Sequence, residues 1–130
     1  MRIRVFLLAV ALIICLSGCA AQLKGEYHRI TPERAFEMMK APHVLLDVRT
    51  EEEHALNRIP DSLVISDIEI MQRAEAELPD KDALILIYCR SGRRSTLAAY
   101  DLIKMGYTNV FDFGGIIDWP YEIDEEALAK

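Results

Sequence analysis

A cysteine and three arginines lie within six consecutive residues, directly after an apolar run at 84–88. The segment reads Cys89, Arg90, Ser91, Gly92, Arg93, Arg94 and Ser95. The thiolate of cysteine is a nucleophile, and arginine binds anions through several N–H donors held in a fixed geometry. The spacing therefore predicts an anion cradle built around Cys89 as the catalytic nucleophile.

The residues on either side of this segment predict the elements that hold it. An apolar run such as 84–88 is typical of a strand buried on both faces, as in parallel sheets. Residues 95–105 place apolar side chains at helical spacings. Cys89 is thus expected where a strand gives way to a helix. Backbone N–H groups of a tight turn and of a helix N-terminus converge there and favour negative charge, including that of the thiolate.

The rest of the chain alternates between predicted strands and helices. Strands are predicted at 27–30, 43–49, 63–66, 83–88 and 109–113, with helices between them that begin or end at Thr, Pro or Gly residues. Thr50-Glu51-Glu52-Glu53 predicts a capping box at the start of one of these helices. Alternation of this kind is typical of a parallel sheet covered on both faces. The 130 residues suit one domain. We therefore expect an α/β fold with a central, mostly parallel five-stranded sheet and helices on both faces.

The N-terminal residues have the features of an export signal. Arg2 and Arg4 precede an apolar run at 5–16, which is shorter than the roughly 20 residues that span a bilayer. The run ends at Leu16-Ser17-Gly18-Cys19, which resembles a bacterial lipobox. This predicts a signal peptide at 1–18, a lipid on Cys19, a short tether at 19–26 and a folded domain at 27–130. The protein would then be exported to the cell envelope and lipid-anchored to a membrane, facing the periplasm; an ordinary secretory signal is the alternative.

Charge and cysteine content narrow the possible functions. The formal net charge is −6, and removal of the signal would leave 13 basic against 21 acidic side chains, a net charge of −8. Such a chain is a poor candidate for nucleic-acid binding. Removal of Cys15 and lipidation of Cys19 would leave Cys89 as the only free thiol, so no intramolecular disulfide would form. An inert buried cysteine is the alternative to a reactive one, but three neighbouring arginines disfavour it.

Several motifs together resemble the rhodanese sulfurtransferases. Residues 89–95 resemble the active-site loop of that family, and the resemblance extends from about Tyr27 to Tyr121. The other matching segments are 46–49 with Glu52 and Glu53, Ile59-Pro60, 106–110, and 114–119 with the Gly-Gly-x3-Trp pattern. The loop and these four other segments, in the family's order, imply a single rhodanese-like domain.

The resemblance implies a covalent mechanism at Cys89. Its thiolate attacks the outer sulfur of a donor such as thiosulfate, sulfite leaves, and the resulting persulfide passes its sulfur to an acceptor. Backbone N–H groups of the loop would hold the persulfide. The expected donor-binding residues are Arg90, Ser91, Gly92, Arg93, Arg94 and Ser95, with Arg94 ranked first and Arg90 second. The acceptor could be cyanide, a small thiol, a redox protein or a partner enzyme, and neither a metal nor an organic cofactor is expected.

Two further groups of residues are of interest. Asp47 and Arg49 end a predicted strand and are interpreted as a supporting ion pair that braces the loop. On either side of Ile59-Pro60, where the family usually has Gly-His and Gly-Ala, this chain has Asn57, Arg58, Asp61 and Ser62. The resemblance therefore does not define the substrate specificity near this turn. The three histidines, His28, His43 and His54, show no metal-ligand spacing and are interpreted as surface residues.

Two other functions remain open. Protein tyrosine phosphatases and arsenate reductases also use a thiolate in an anion-binding loop, but the phosphatases need five residues between cysteine and arginine. Here Arg94 follows Cys89 after only four, which favours sulfur over phosphate or arsenate chemistry. A periplasmic domain that carries a persulfide or binds an anion, with little turnover, is the other alternative.

Overall fold

The structure is a computed structural model that describes residues 25–126. The predicted signal peptide, the lipobox with Cys19, and tether residues 20–24 lie outside the described residues. Across 25–126, no helix has both the length and the apolar character needed to cross a membrane.

The described residues form an α/β fold around one five-stranded sheet. Its strands are β1 (His28–Arg29), β2 (Val44–Asp47), β4 (Leu63–Val64), β5 (Ile85–Cys89) and β6 (Val110–Gly115). They lie in the order β1-β6-β5-β2-β4, and every neighbouring pair is parallel. Two short strands, β3 (Asn57–Arg58) and β7 (Asp124–Glu125), form a separate antiparallel ribbon. The predicted α/β fold with a five-stranded parallel sheet is confirmed.

Helices surround the sheet. They are α1 (Pro32–Met38), α2 (Glu51–Leu56), α3 (Ile70–Glu77) and α4 (Arg93–Lys104), with single 3-10 turns at Asp67–Glu69 and Ile116–Asp118. The side chains of β5 alternate between two cores. Ile85, Ile87 and Cys89 pack in the cluster that includes residues of α3 and α4. Leu86 and Tyr88 pack in the other, which includes Ala35 of α1. All five residues of β5 are buried, as expected of a central strand covered on both faces.

Thr31 and Thr50 cap the N-termini of α1 and α2. The Thr31 side chain accepts the N–H of Arg34 at 3.2 Å, and Pro32 occupies the first turn of α1. Thr50 and Glu53 form a capping box at α2, in which each side chain accepts the backbone N–H of the other. The capping box fixes the direction of the Glu53 side chain, which extends toward the loop that follows Cys89 and bonds to Arg94.

Candidate active site

Cys89 is the last residue of β5, and its side chain is almost fully buried. Its Sγ accepts the backbone N–H of Gly92 at 3.0 Å and lies 3.6 Å from Ser95 Oγ. Gly92 has a φ of +107°, a left-handed conformation that favours glycine, and it precedes the first residue of α4. The chain therefore turns sharply after Cys89 and directs a backbone N–H at the sulfur.

A pocket of about 370 Å³ opens beside the loop. Its polar wall is formed by Arg49, Glu53, Asn57 and Arg90, and Leu56 and Ile117 contribute apolar surface. Arg49 and Arg90 thus bring two guanidinium groups to one pocket, and guanidinium groups are suited to binding small anions. Arg93, the first residue of α4, is exposed and does not line this pocket.

Arg94 is held by Glu53 in a two-point ion pair. Its Nη1 donates to Oε2 at 2.7 Å and its Nη2 donates to Oε1 at 2.8 Å. Hydrogen bonding from Arg94, with a further bond from the Thr50 N–H, lowers the pKa of Glu53 to about 2 despite partial burial. The pair joins the start of α2 to the start of α4. The ranking of Arg94 ahead of Arg90 as the donor-binding residue stays a prediction.

Glu53→Gln is expected to destabilise the fold in a pH-dependent way. The folded-state pKa of Glu53 lies below the unfolded value, so its contribution is present above about pH 4.5 and is lost as pH falls through about 2. Loss of the charged pair should lower the free energy of unfolding at pH 7 by about 1–2 kcal/mol. Urea denaturation at pH 7, 4 and 2.5 should show the difference from the wild type shrinking as pH falls. Glu52→Gln, in the same exposed turn, is the control, and an equal effect there would contradict the assignment.

Asp47 and Arg49 form a buried ion pair at the end of β2. Arg49 Nη2 donates to Asp47 Oδ2 at 2.7 Å and Nε donates to Oδ1 at 3.0 Å. The other side of the guanidinium reaches Asn57, where Nη1 donates to Oδ1 at 2.9 Å and Nη2 to the backbone carbonyl at 2.7 Å. Arg49 therefore ties β2 to β3 while it lines the pocket. That the pair braces the loop after Cys89 stays a prediction.

His54 was expected at the surface, and that interpretation is wrong. Its side chain is only 15% exposed, and its Nδ1 lies 3.0 Å from Asp47 Oδ2. Asp47 is fully buried, so two cationic or donor side chains, from Arg49 and His54, share this one carboxylate. In the sequence, the only indication of this contact is that His54 follows Asp47 by seven residues.

Three of the four residues that depart from the family pattern make polar side-chain contacts, and the fourth, Asp61, occupies a turn. Ser62 Oγ donates to the Ile59 carbonyl at 2.7 Å and lies 3.1 Å from the Tyr88 hydroxyl. Burial raises the pKa of that Tyr88 hydroxyl to about 12. Arg58 Nε lies 3.7 Å from Asp124 Oδ2, and Asp61 occupies a left-handed turn with a φ of +63°. Of the four, Asn57 lines the pocket.

Asp112 lies beneath the loop. This residue was not identified from the sequence. The side chain is fully buried, and five donor groups lie within hydrogen-bond distance of its two oxygens. The donors are Ser95 Oγ at 2.8 Å and the Gly114 N–H at 2.9 Å on Oδ1, and Tyr27 OH at 2.9 Å, Arg29 Nη1 at 3.1 Å and Thr96 Oγ1 at 2.9 Å on Oδ2. A lone acidic residue within an otherwise apolar strand was the available signal.

Two glycines let β6 approach the loop. The pairing of β5 with β6 shifts between Ile87 and Cys89, so Cys89 lies opposite Gly115. Gly114 has a φ of +95° where this shift occurs. A Cβ on Gly115 would lie 2.1 Å from the Arg90 carbonyl oxygen. Only a residue without a side chain fits there, and β6 thereby supports the backbone of the loop.

Known proteins resemble this chain over most of its described length. Residues 31–120 match the rhodanese-like domain family. The chain is 32% identical over 104 residues to adenylyltransferase and sulfurtransferase UBA4 of Yarrowia lipolytica. The alignment covers 80% of this chain but only 26% of that protein. It therefore spans about a quarter of that relative.

A shorter relative and a solved structure match along nearly their whole lengths. Thiosulfate sulfurtransferase GlpE of Haemophilus influenzae is 32% identical over 94 residues, covering 72% of this chain and 88% of that protein. A structure described as rhodanese with anions from E. coli has a TM-score of 0.60 and 30% identity, covering 64% of this chain and 98% of its own. Because the matched residues 31–120 include the parallel strands β2, β4, β5 and β6 and the complete loop after Cys89, the chain belongs to the rhodanese-like domain family.

Proposed function

We propose that this protein is a sulfurtransferase that moves a sulfane sulfur from thiosulfate, or a similar anionic donor, to a thiophilic acceptor through a persulfide on Cys89. The observation that carries the proposal is the Gly92 N–H directed at Cys89 Sγ at 3.0 Å, in a loop next to a pocket lined by Arg49 and Arg90. The sulfurtransferase relatives, one of them named for thiosulfate, support the same chemistry.

The first half of the reaction forms the persulfide. The Cys89 thiolate attacks the outer sulfur of thiosulfate, so that a bond forms between Sγ and that sulfur. The bond between the two thiosulfate sulfurs breaks at the same time, and sulfite leaves with its electron pair. An acceptor nucleophile then attacks the outer sulfur of the persulfide, and Sγ departs as the regenerated thiolate. Neither half needs a metal or an organic cofactor to balance.

The loop supplies charge and hydrogen-bond donors for these steps. The Gly92 N–H already contacts Sγ and would stabilise negative charge whenever it develops on that atom. Arg90 is exposed and lines the pocket, so it is placed to bind a doubly charged donor. Arg49 is buried, and its bonds to Asp47 and Asn57 fix its guanidinium in the pocket wall.

Arg90→Ala should weaken donor binding more than Arg93→Ala does. Both changes remove one positive charge from an exposed side chain, but only Arg90 lines the pocket. We expect KM for thiosulfate to rise by about 10-fold or more for Arg90→Ala, with a smaller effect on kcat. Steady-state kinetics at two salt concentrations measure both variants. Equal changes in the two would mean that net charge, rather than contact within the pocket, attracts the donor.

The proposed function is tested by sulfur transfer from thiosulfate to cyanide. The purified full chain should produce thiocyanate, and initial rates at several concentrations of both substrates should give the parallel reciprocal plots of a ping-pong reaction. The same preparation should not hydrolyse an aryl phosphate. Phosphate release without thiocyanate would replace the proposal with phosphatase chemistry. Sulfur bound at Cys89 without turnover would indicate a persulfide carrier. If the protein shows neither activity and binds no sulfur, the remaining alternative is an anion-binding domain.

We propose further that the protein acts at a membrane surface in the cell envelope, facing the periplasm. The support is the sequence Leu16-Ser17-Gly18-Cys19 after an apolar run, which predicts lipid attachment to Cys19 and a tether of only a few residues before the folded domain. Mass spectrometry of the mature protein should find its first residue to be an acylated Cys19. The Cys19→Ala variant should be found in the soluble fraction. A mature protein that begins at another residue and carries no lipid would contradict the anchor.

A further inference from the structure

Ser95 lies between the reactive sulfur and the buried carboxylate of Asp112. Its Oγ is 3.6 Å from Cys89 Sγ and 2.8 Å from Asp112 Oδ1. Ser95 and Asp112 are both fully buried, so no bulk water competes for these contacts. The backbone carbonyls of Gly92, at 3.1 Å, and Gly114, at 3.3 Å, are longer alternatives to the Asp112 carboxylate. The serine hydroxyl has a single hydrogen, so it cannot donate to Asp112 and to the sulfur at the same time.

The charge on the sulfur decides which atom receives this hydrogen. When Sγ is a neutral thiol or part of a persulfide, the nearby carboxylate is the stronger acceptor, and the thiol itself donates to Ser95. When Sγ is a thiolate, a second charged acceptor lies on the other side of the hydroxyl. Rotation about one side-chain bond then brings the hydrogen from Asp112 to the sulfur.

The other donors around Asp112 make this exchange feasible. If the Ser95 hydrogen leaves Oδ1, that oxygen keeps the Gly114 N–H at 2.9 Å, and Oδ2 keeps Tyr27, Arg29 and Thr96. The buried carboxylate is therefore never left without partners, which would be costly. Sγ meanwhile keeps the Gly92 N–H and gains a second donor.

We propose that Asp112 and Ser95 form a hydrogen-bond switch that follows the charge on Cys89 Sγ, with Asp112 as a positioning residue that acts through Ser95. The inference rests on the proposed role of Cys89 as the nucleophile. No proton is transferred, because the hydrogen stays on Ser95 Oγ and only its acceptor changes. The switch stabilises Sγ in the free thiolate and as the leaving group of the second half-reaction, and it releases Sγ when the outer sulfur of the persulfide carries the charge.

Other charged and titratable groups lie on the elements next to Cys89. The charged and titratable side chains on the neighbouring elements are Arg90, Arg93 and Arg94 of the loop and α4, Asp112 of β6, Tyr27 and Arg29 at β1, Asp47, Arg49 and Tyr88 at the ends of β2 and β5, Glu53 and His54 of α2, and Asp67 of the first 3-10 turn. Asp112 is distinguished from these by its link to the sulfur through a shared hydrogen-bond partner. The test must therefore separate that link from a simple effect of charge.

A double-mutant cycle on the alkylation of Cys89 makes this separation. The rate of reaction of the full chain with iodoacetamide is followed from pH 5 to 10 on the peptide that carries Cys89, which excludes Cys15 and Cys19. Ser95→Ala should raise the pH midpoint by about 0.5–1 unit, because the thiolate loses a donor. Asp112→Asn should lower it, because both a competing acceptor and a negative charge are removed. In the Ser95→Ala background the Asp112→Asn shift should be smaller by about 0.4 unit or more.

Tyr27→Phe is the matched control. It removes one donor from the same carboxylate, on Oδ2, and the Tyr27 hydroxyl contacts neither Ser95 nor the sulfur. This variant should lose stability without moving the alkylation midpoint. An Asp112→Asn shift of the same size with and without Ser95 would overturn the switch and leave only the charge. If Asp112→Asn does not fold, an unchanged midpoint in Ser95→Ala is sufficient to overturn it.

The outcome is independent of the test of the proposed function. Alkylation requires no sulfur donor, so a protein that fails to make thiocyanate still reports the cycle. Conversely, additive alkylation shifts in a protein that does make thiocyanate would reject the switch and retain the sulfurtransferase.

Discussion

Replacing Cys89 with serine is expected to reduce sulfur transfer by at least about 10³-fold. The serine hydroxyl cannot form a persulfide, and the loop offers no second thiol at this position. The substitution leaves Arg49 and Arg90 in the pocket lining, so thiosulfate affinity should change much less than turnover. Thiocyanate formation and thiosulfate binding, measured on the same preparations, test both parts of this expectation.

Cys89→Ala controls for the hydroxyl that serine introduces. Cys89 is buried in the core shared with α3 and α4, so each substitution alters packing differently. Both variants should fold, as judged by circular dichroism and thermal unfolding, and both should be inactive. Substantial activity in either folded variant would remove Cys89 from the reaction.

Gly115→Ala should disrupt the loop without touching a reacting group. The added Cβ would lie 2.1 Å from the Arg90 carbonyl oxygen and 2.6 Å from the Ser91 Cα, distances that force the backbone apart. Overpacking of this kind costs about 1–3 kcal/mol of stability. A displacement near 1 Å at the nucleophile can cost about 10²-fold in rate. We therefore expect kcat/KM to fall by about 10²-fold, with a lower midpoint of urea denaturation.

Gly106→Ala separates loop geometry from loss of stability. Gly106 has a φ of +99°, so alanine is strained there, but it lies at the far end of α4 and its Cβ would meet only the Lys81 side chain, at 3.7 Å or more. This variant should lose stability and retain activity. Equal activity in the two variants, at matched fractions folded, would show that β6 does not position the loop.

Much of the fold follows from local sequence patterns. The apolar run before Cys89 predicts a buried central strand, and β5 is one, flanked on both sides by parallel neighbours. The Thr50 capping box starts α2 where its pattern predicts. The β3–β7 ribbon was missed, because Asn57–Arg58 and Asp124–Glu125 are short polar segments without the apolar or β-branched residues that favour strands.

The contacts that hold the loop could not be derived in the same way. Glu53 belongs to a predicted helix start, but its partner Arg94 lies 41 positions further on. Asp112 joins Tyr27, which is 85 positions away, to the first turn of α4. Such pairs depend on how strands are ordered in the sheet, and the order β1-β6-β5 is not encoded in any local pattern. Residue types near Cys89 predict the chemistry, whereas the supporting contacts require the tertiary structure.

The most direct test is the mass of the Cys89 peptide after incubation with thiosulfate alone. The account predicts a gain of one sulfur atom on that peptide, reversed by cyanide with release of thiocyanate and missing in Cys89→Ser. An unchanged mass under conditions in which the protein is folded and the thiol reacts with iodoacetamide would contradict the persulfide mechanism.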